Sequence, residues 1–154
     1  MTLDHVRIVN LKPMKVASYR AESASPEKDA WDVMMAWVKA NGLDQLATTR
    51  YFGFDNPGPA PGRPTYGYEV WVTVPDHVQP SGPIQLKECA GGLFAVVTTY
   101  LYEIGERWAS LVQWAKAEPG LAIDHRQCLE ESVLPDEMHQ EQTQLDLFLP
   151  IRRI

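Results

Sequence analysis

Three carboxylates stand inside segments that otherwise alternate apolar residues in the manner of β-strands. They are Glu69 within residues 66–72, Glu130 within residues 128–132 and Asp146 within residues 145–149. Because alternate residues of a strand share one face, Glu69 and Trp71 point to the same side of their strand. A carboxylate beside a tryptophan indicates either a solvated sheet face or the wall of a pocket. For Glu69 and Asp146 we expect the solvated face.

Glu130 is the carboxylate best placed for chemistry, because an internal repeat of the chain pairs it approximately with Phe52 in the aromatic segment 51–54. A carboxylate facing aromatic rings holds a lipophilic cation through its charge and through the negative faces of the rings. Apolar surroundings also raise the pKa of a carboxyl group, which makes it a general base. A surface carboxylate is the third interpretation, since the next residue is the charged Glu131. The residues alone leave all three open.

Other signatures of catalysis or cofactor binding are missing from the sequence. It contains no nucleophile elbow, Walker loop, dinucleotide fingerprint or zinc signature. The histidines, His5, His77, His125 and His139, are scattered without ligand spacing. Two cysteines, Cys89 and Cys128, are too few for a disulfide framework. We therefore expect no cofactor, no metal, and two reduced, buried thiols.

Two helices, each framed by strands, must position these side chains. In the first half of the chain, the periodicity of apolar residues predicts strands over 2–9 and 14–20, a helix from Pro26 to about Ala40, and strands over 48–54 and 65–74. In the second half, the same periodicity predicts strands over 83–88 and 93–100, a helix over about 105–117, and strands over 125–132 and 143–150. Ser25 is the expected N-cap of the first helix, Pro26 its first residue, and Asn41-Gly42 its left-handed end.

The order strand–strand–helix–strand–strand thus occurs twice, and the residue spacing indicates an internal repeat. Trp31 and Trp37 match Trp108 and Trp114 at an offset of 77, Val16 matches Phe94 at 78, and Pro75 matches Pro150 at 75. A stable offset is typical of a duplicated unit. We predict two repeats, about residues 2–75 and 83–151, packed about a pseudo-two-fold in a single domain of residues 1–154.

Each predicted helix carries one apolar stripe at i, i+3, i+4, i+7 spacing, which indicates packing on a sheet. The stripes are Trp31, Met34, Met35 and Val38 in the first helix, and Trp108, Leu111, Val112 and Ala115 in the second. Trp37 and Trp114 lie about 120° away from these stripes by helix geometry. They either flank a groove between the halves or cover an edge of the core.

Composition excludes several classes of function. The chain has 154 residues, a formal net charge of −6, and 45% hydrophobic residues, which is enough for one sizeable core. It lacks the clustered Lys and Arg of a general nucleic-acid binder. Its apolar stretches are shorter than the roughly 18–20 residues of a membrane span, and its N-terminus lacks the layout of a signal peptide. We expect a cytoplasmic protein with no membrane association.

Several short segments keep a recognisable order and spacing along the chain. They are residues 51–57, 68–69 with 72–75, 91–96, Trp108 with Leu111 and Trp114, 128–130, and 145–150. In this order they resemble the GyrI-like family over about residues 3–151. This small-molecule-binding domain also forms the effector-binding module of AraC-type and MerR-type multidrug-responsive transcription regulators.

The resemblance implies a duplicated α+β fold, an antiparallel sheet with two helices, and a cleft between the halves that binds bulky aromatic or cationic compounds. The family's central pocket glutamate maps onto Glu130. The aromatic walls map onto Tyr51, Phe52, Trp71, Tyr100 and Trp108, and Glu69 is a further candidate for ligand binding. The hydrophobic-Tyr pair that usually follows the glutamate is Glu131-Ser132 here, which changes the shape and charge of the pocket.

Three functions are compatible with this resemblance to stand-alone members of the family. The leading hypothesis is a binding protein that sequesters lipophilic, aromatic or cationic compounds of the multidrug or toxin type. The alternative is a hydrolase of strained, cyclopropane-containing natural products, with Glu130, alone or with Glu69, as general base. The third is an inhibitor of DNA gyrase or a modulator of a separately encoded regulator, which would make a protein the partner.

Overall fold

The computed structural model of the chain describes residues 5–132 and 143–154. The first residues of the predicted strand 2–9, the predicted loop between residues 132 and 143, and His139 lie outside the described residues. No helix in the described part is both long enough and apolar enough to cross a membrane.

Nine strands and two α-helices follow one another along the described residues. They are β1 (Arg7–Leu11), β2 (Met14–Ser23), α1 (Pro26–Ala40), β3 (Tyr51–Asp55), β4 (Tyr66–Thr73), β5 (Gln85–Cys89), β6 (Gly92–Tyr100), α2 (Ile104–Ala117), β7 (Leu121–Ile123), β8 (Leu129–Ser132) and β9 (Gln144–Arg153). Every strand pairing described below is antiparallel. The predicted α+β class, an antiparallel sheet with two helices, is confirmed.

Local signals in the sequence account for most of these boundaries. Pro26 begins α1, as expected, and Gly42 follows its end with a φ of 69°, the left-handed conformation that glycine adopts cheaply. Ser25 is the N-cap residue, as predicted, but its side chain makes no capping hydrogen bond in the structure. Instead the backbone N–H of Ser25 donates to the Ser23 hydroxyl at 3.1 Å.

The predicted strand over residues 125–132 is the largest error in the secondary structure. Only its last residues form β8, and a separate strand, β7, precedes it. Arg126 explains the interruption, because its guanidinium donates to the backbone carbonyls of Gly91, Leu93 and Ile151 at 2.6–2.9 Å. Its Cζ also lies 4.6 Å from the centre of the Phe94 ring. A side chain held in this way prevents residues 124–127 from continuing a regular ladder.

The chain forms two compact units. The α1 unit comprises residues 14–89, and the α2 unit comprises the segments up to Pro13 and from Ala90 onward. In the α1 unit the strands lie in the order β3, β4, β2, β5. In the α2 unit the order is β1, β6, β9, β8, and β7 also pairs with β9.

The bounds of these units differ from those of the two predicted repeats in one respect. β1 pairs with β6 and β5 pairs with β2, so each unit includes the first strand of the other predicted repeat. Residues 2–75 and 83–151 stay the predicted ranges of the two repeats, whereas the compact units have other bounds. The pseudo-two-fold itself stays a prediction.

Candidate functional site

Glu130 lies in β8 on the sheet face that packs against α2. In the antiparallel pair of β8 and β9 it stands directly opposite Leu147, and directly opposed residues point to the same face. Leu147 belongs to the buried core of the α2 unit together with Leu111 and Ala115 of α2. The side chain of Glu130 is therefore directed towards the space between α2 and its sheet.

Trp108 of α2 donates its indole Nε1–H to Oε2 of Glu130 over 2.9 Å. A hydrogen bond to a carboxylate is charge-assisted, so it positions the carboxyl group as well as packing against it. Both residues are half-buried. Two of the residues predicted for the site are thus in direct contact, one supplied by a helix and the other by a strand of the same unit.

The apolar core of the α2 unit, on which Trp108 packs, is only partly covered by the side chains around it. The half-buried side chains packed against the core here are Val6, Leu93, Ile104, Trp108, Val112, Trp114, Leu121, Ile123 and Cys128. In α2 only Leu111 and Ala115 are buried, whereas α1 buries seven residues, including all four of its apolar stripe. The α2 unit therefore presents accessible apolar surface next to a carboxylate.

Two further groups in β8 and its approach bear on the chemistry of this face. The Ser132 hydroxyl, two residues beyond Glu130 on the same face, is buried and finds no hydrogen-bond partner among the described residues. Burial raises the pKa of the Cys128 thiol, and the charge of Glu130 raises it further. That thiol is therefore protonated at neutral pH and is a poor nucleophile.

Glu69 forms a second carboxylate centre in the α1 unit, and the prediction of a solvated face is wrong there. Its side chain is only 3% exposed. Oε2 accepts hydrogen bonds from the Ser18 hydroxyl at 2.8 Å, Trp71 Nε1 at 2.6 Å and Lys87 Nζ at 2.8 Å. Oε1 accepts one from Asn56 Nδ2 at 2.9 Å.

These four donors decide the charge state of Glu69. Burial opposes its ionisation, but the hydrogen bonds, led by that from Lys87, outweigh burial and hold the pKa of Glu69 below its usual value. Glu69 is consequently an ionised carboxylate whose oxygens are already occupied. A base needs a raised pKa and an accessible oxygen, so this geometry does not favour Glu69 as the partner of Glu130 in general base catalysis.

The model of a family described as Cass2, integron-associated effector binding protein, matches residues 7–151. The chain belongs to this family. The match confirms the resemblance seen in the sequence and makes this an effector-binding protein, a class that binds small molecules. A search of curated protein sequences returns no match.

Solved structures share the fold of this effector-binding protein at low sequence identity. A cryo-EM structure of an EcmrR–DNA complex superposes with a TM-score of 0.72 and 11% identity over 97% of this chain, which spans 58% of the EcmrR chain. A structure described as a hydrolase from Listeria innocua gives 0.69 and 14%, covering 99% of this chain and 94% of that one. SAV2435 bound to tetraphenylphosphonium gives 0.55 and 8%, covering 96% and 94%.

The remaining predicted site residues of the effector-binding protein fall into different places. Phe52 is fully buried and stands opposite Trp71, on the same sheet face as Glu69. Tyr51 points to the other face of that sheet and is half-buried. Tyr100, at the end of β6, stands opposite Gln144 on the face away from Glu130. The structure thus groups Glu130 with Trp108, and Glu69 with Trp71 and Phe52.

Three other expectations from the sequence of this effector-binding protein concern Asp146, the two cysteines and Trp37. Asp146 is 33% exposed and pairs with Arg7 at 3.2 Å, as expected for a solvated face. Both cysteines are free, but they are half-buried and not buried as predicted. Trp37 is 8% exposed and donates Nε1–H to the Ser81 hydroxyl at 2.9 Å, which agrees with a residue covering the edge of a core.

Sequence reasoning missed the polar partners of Glu69 and the buried hydroxyl near Glu130. Ser18, Asn56 and Lys87 surround Glu69, and Ser132 lies on the face of Glu130. Ser18 was detectable in principle, because it interrupts a run of apolar residues in β2. Within residues 5–132 and 143–154, no group of three or more His, Cys, Asp and Glu side chains is arranged to hold a metal ion.

Proposed function

We propose that this protein binds lipophilic aromatic cations in the α2 unit, between helix α2 and the sheet face that packs against it. Glu130 would be the counter-charge and Trp108 an aromatic wall. The single observation that carries the proposal is the Trp108–Glu130 hydrogen bond within half-buried apolar surface. A cation is attracted both by a carboxylate and by the face of an indole ring, most strongly where water is partly excluded. The tetraphenylphosphonium bound to SAV2435, which shares the fold, is a ligand of this chemical class.

The test is titration calorimetry with tetraphenylphosphonium on the wild type and two variants. Glu130→Gln keeps the shape of the side chain and removes its charge, so we expect the affinity to fall at least about tenfold, or about 1.4 kcal/mol. Glu131→Gln is the matched control, since it removes a charge from the next residue, which points to the opposite face. Equal affinities for wild type and Glu130→Gln would contradict the proposal.

Hydrolysis is a second candidate function, favoured by the fold shared with the Listeria innocua hydrolase and by the carboxylate beside apolar surface. In this mechanism Glu130 takes a proton from water as the water oxygen attacks a cyclopropane carbon. The electron pair of the broken ring bond passes into the substrate's electron-withdrawing group, which then takes up the proton from Glu130. Mass spectrometry of a cyclopropane-containing alkylator should then show a product heavier by one water, formed by the wild type and not by Glu130→Gln. Absence of turnover at catalytic protein concentrations would leave binding as the function.

Three finer statements remain predictions from the sequence. They are a cytoplasmic location, a ligand cleft between the two repeats, and a protein partner such as gyrase or a regulator. The calorimetric experiment addresses the ligand independently of all three.

A further inference from the structure

The strand registers extend the sequence repeat to individual side chains. Val16 and Phe94, which correspond in the sequence, stand opposite Thr73 and Pro150. This places Pro150 at an offset of 77 from Thr73, the same offset that relates Trp31 to Trp108. The sequence alone matched Pro75 to Pro150 at an offset of 75. The strand registers replace that value with an offset of 77 between each residue of β4 and its counterpart in β9.

With this register, the residue corresponding to Glu130 is Gly53 and not Phe52. Gly53 stands opposite Val70 just as Glu130 stands opposite Leu147. Residue 130 follows residue 53 by 77 positions, and residue 147 follows residue 70 by the same number. The residue corresponding to the Trp108 indole is Trp31 at the same position of α1. The α1 unit therefore carries the tryptophan of the proposed site without its carboxylate.

In the α1 unit, the Tyr68 side chain packs directly against the backbone of Gly53. A Cβ atom at Gly53 would lie 2.2 Å from the Tyr68 hydroxyl oxygen and 2.7–2.8 Å from two carbons of its ring. The phenol is 3% exposed, so it is part of the packed interior. At an offset of 77, the residue corresponding to Tyr68 in the α2 unit is Leu145, which has no ring.

The indole N–H of Trp31 independently indicates that the α1 unit lacks the polar partner which Glu130 provides in the α2 unit. Its side chain is 2% exposed, and its Nε1–H finds no hydrogen-bond partner among the described residues. Buried indole N–H groups normally find an acceptor, because an unpaired donor in the interior costs about 1–3 kcal/mol. In the α2 unit the same donor of Trp108 is satisfied by Glu130.

We propose that the Tyr68 phenol occupies, in the α1 unit, the position that an aromatic ring of the ligand takes in the α2 unit. This inference rests on the proposed function and adds the ligand class. The para oxygen is the Tyr68 atom nearest to the Gly53 Cβ position, where the Glu130 side chain begins in the other unit. The preferred ligand is therefore an aromatic ring that carries its positive charge just beyond one end. It also follows that each chain binds one such ligand, because the α1 site is filled by its own tyrosine.

Benzyltrimethylammonium, a single ring with its charge beyond one end, is the probe. Calorimetry should give one site per chain in the wild type and at least about tenfold weaker binding in Glu130→Gln. The decisive variant adds Gly53→Glu and Tyr68→Leu to Glu130→Gln, which copies the α2 site into the α1 unit. We expect binding to return to within about threefold of the wild type, at one site per chain. The uncharged analogue neopentylbenzene should show neither the loss of affinity in Glu130→Gln nor its recovery in the triple variant, because both depend on a carboxylate.

The two proposals fail in different ways in this experiment. If Glu130→Gln binds benzyltrimethylammonium as well as the wild type does, the proposed function is wrong. If Glu130→Gln loses binding and the folded triple variant does not regain it, the function stands and the role of Tyr68 is wrong.

A second measurement serves if the triple variant does not fold. Tyr68→Leu alone vacates the ring position without adding a charge, so saturating 4-methylphenol should raise its Tm by about 2 °C or more and leave the wild type unchanged. Phe94→Leu is the matched control, because Phe94 is an equally buried ring in the other unit. An equal rise for Phe94→Leu, or none for Tyr68→Leu, would overturn the inference.

Discussion

Replacing Gly91 with alanine is expected to lower the free energy of unfolding by about 4 kcal/mol. Gly91 has a φ of 73°, and a Cβ atom there would lie 2.1 Å from the backbone oxygen of Leu11. A left-handed conformation costs an alanine roughly 1–2 kcal/mol. The clash adds more, because its partner is backbone of the segment leading out of β1 and cannot rotate away. Urea denaturation monitored by tryptophan fluorescence measures the change.

Gly120→Ala is the matched control for this prediction. Gly120 has a similar φ of 81°, but a Cβ there would meet nothing within 4 Å. Only the conformational cost remains, so we expect a loss of about 1 kcal/mol. Similar losses for the two variants would show that the close approach of Leu11 to Gly91 does not determine stability.

Glu69→Gln is expected to cost about 3 kcal/mol of stability at neutral pH. Three donors converge on one oxygen of Glu69, and one of them is the Lys87 ammonium. The variant keeps the side-chain volume but removes the charge that these donors stabilise. Asp146→Asn is the control, since Asp146 corresponds to Glu69 in the repeat but is partly exposed. That exchange should cost less than about 1 kcal/mol.

The effect of Glu69→Gln should depend on pH in a defined direction. The pKa of Glu69 is lowered in the folded protein from the 4.5 of an unperturbed glutamate. The unfolded chain therefore binds this proton first as the pH falls, and the contribution of Glu69 to stability is complete above about pH 4.5 and lost below it. The difference between wild type and variant should shrink between pH 5 and pH 3 in urea titrations. A difference that stays constant over this range would contradict the ionised state of Glu69.

The two carboxylates illustrate how burial changes the role of one residue type. Glu69 is surrounded by four donors of its own unit, so its charge is compensated within the protein. Glu130 accepts a hydrogen bond from Trp108, whose ring packs with other half-buried side chains on the apolar core of the α2 unit. The second environment is the one that suits the proposed cationic ligand, because such a ligand would exclude water from both the charge and the apolar surface.

The sequence alone determined the order of elements and the faces of the helices. Pro26 and Gly42 mark the ends of α1 through their own backbone preferences, and the spacing of Trp31, Met34 and Val38 identifies the buried stripe. The offset of 77 between the tryptophan pairs likewise needs no tertiary information. These properties are predictable because they depend on local conformation and periodicity, which neighbouring residues carry.

Only the tertiary structure decided what covers each sheet face and which residues correspond between the units. Strand alternation placed Glu69 and Trp71 on one face, but whether that face meets water depends on packing by residues distant in sequence, such as Ser18 and Lys87. The correspondence of Glu130 with Gly53 likewise follows from strand register, which hydrogen-bond ladders set across the sheet. A shift of one residue reverses the face of every side chain, so an approximate alignment of the repeats could not reveal the role of Tyr68.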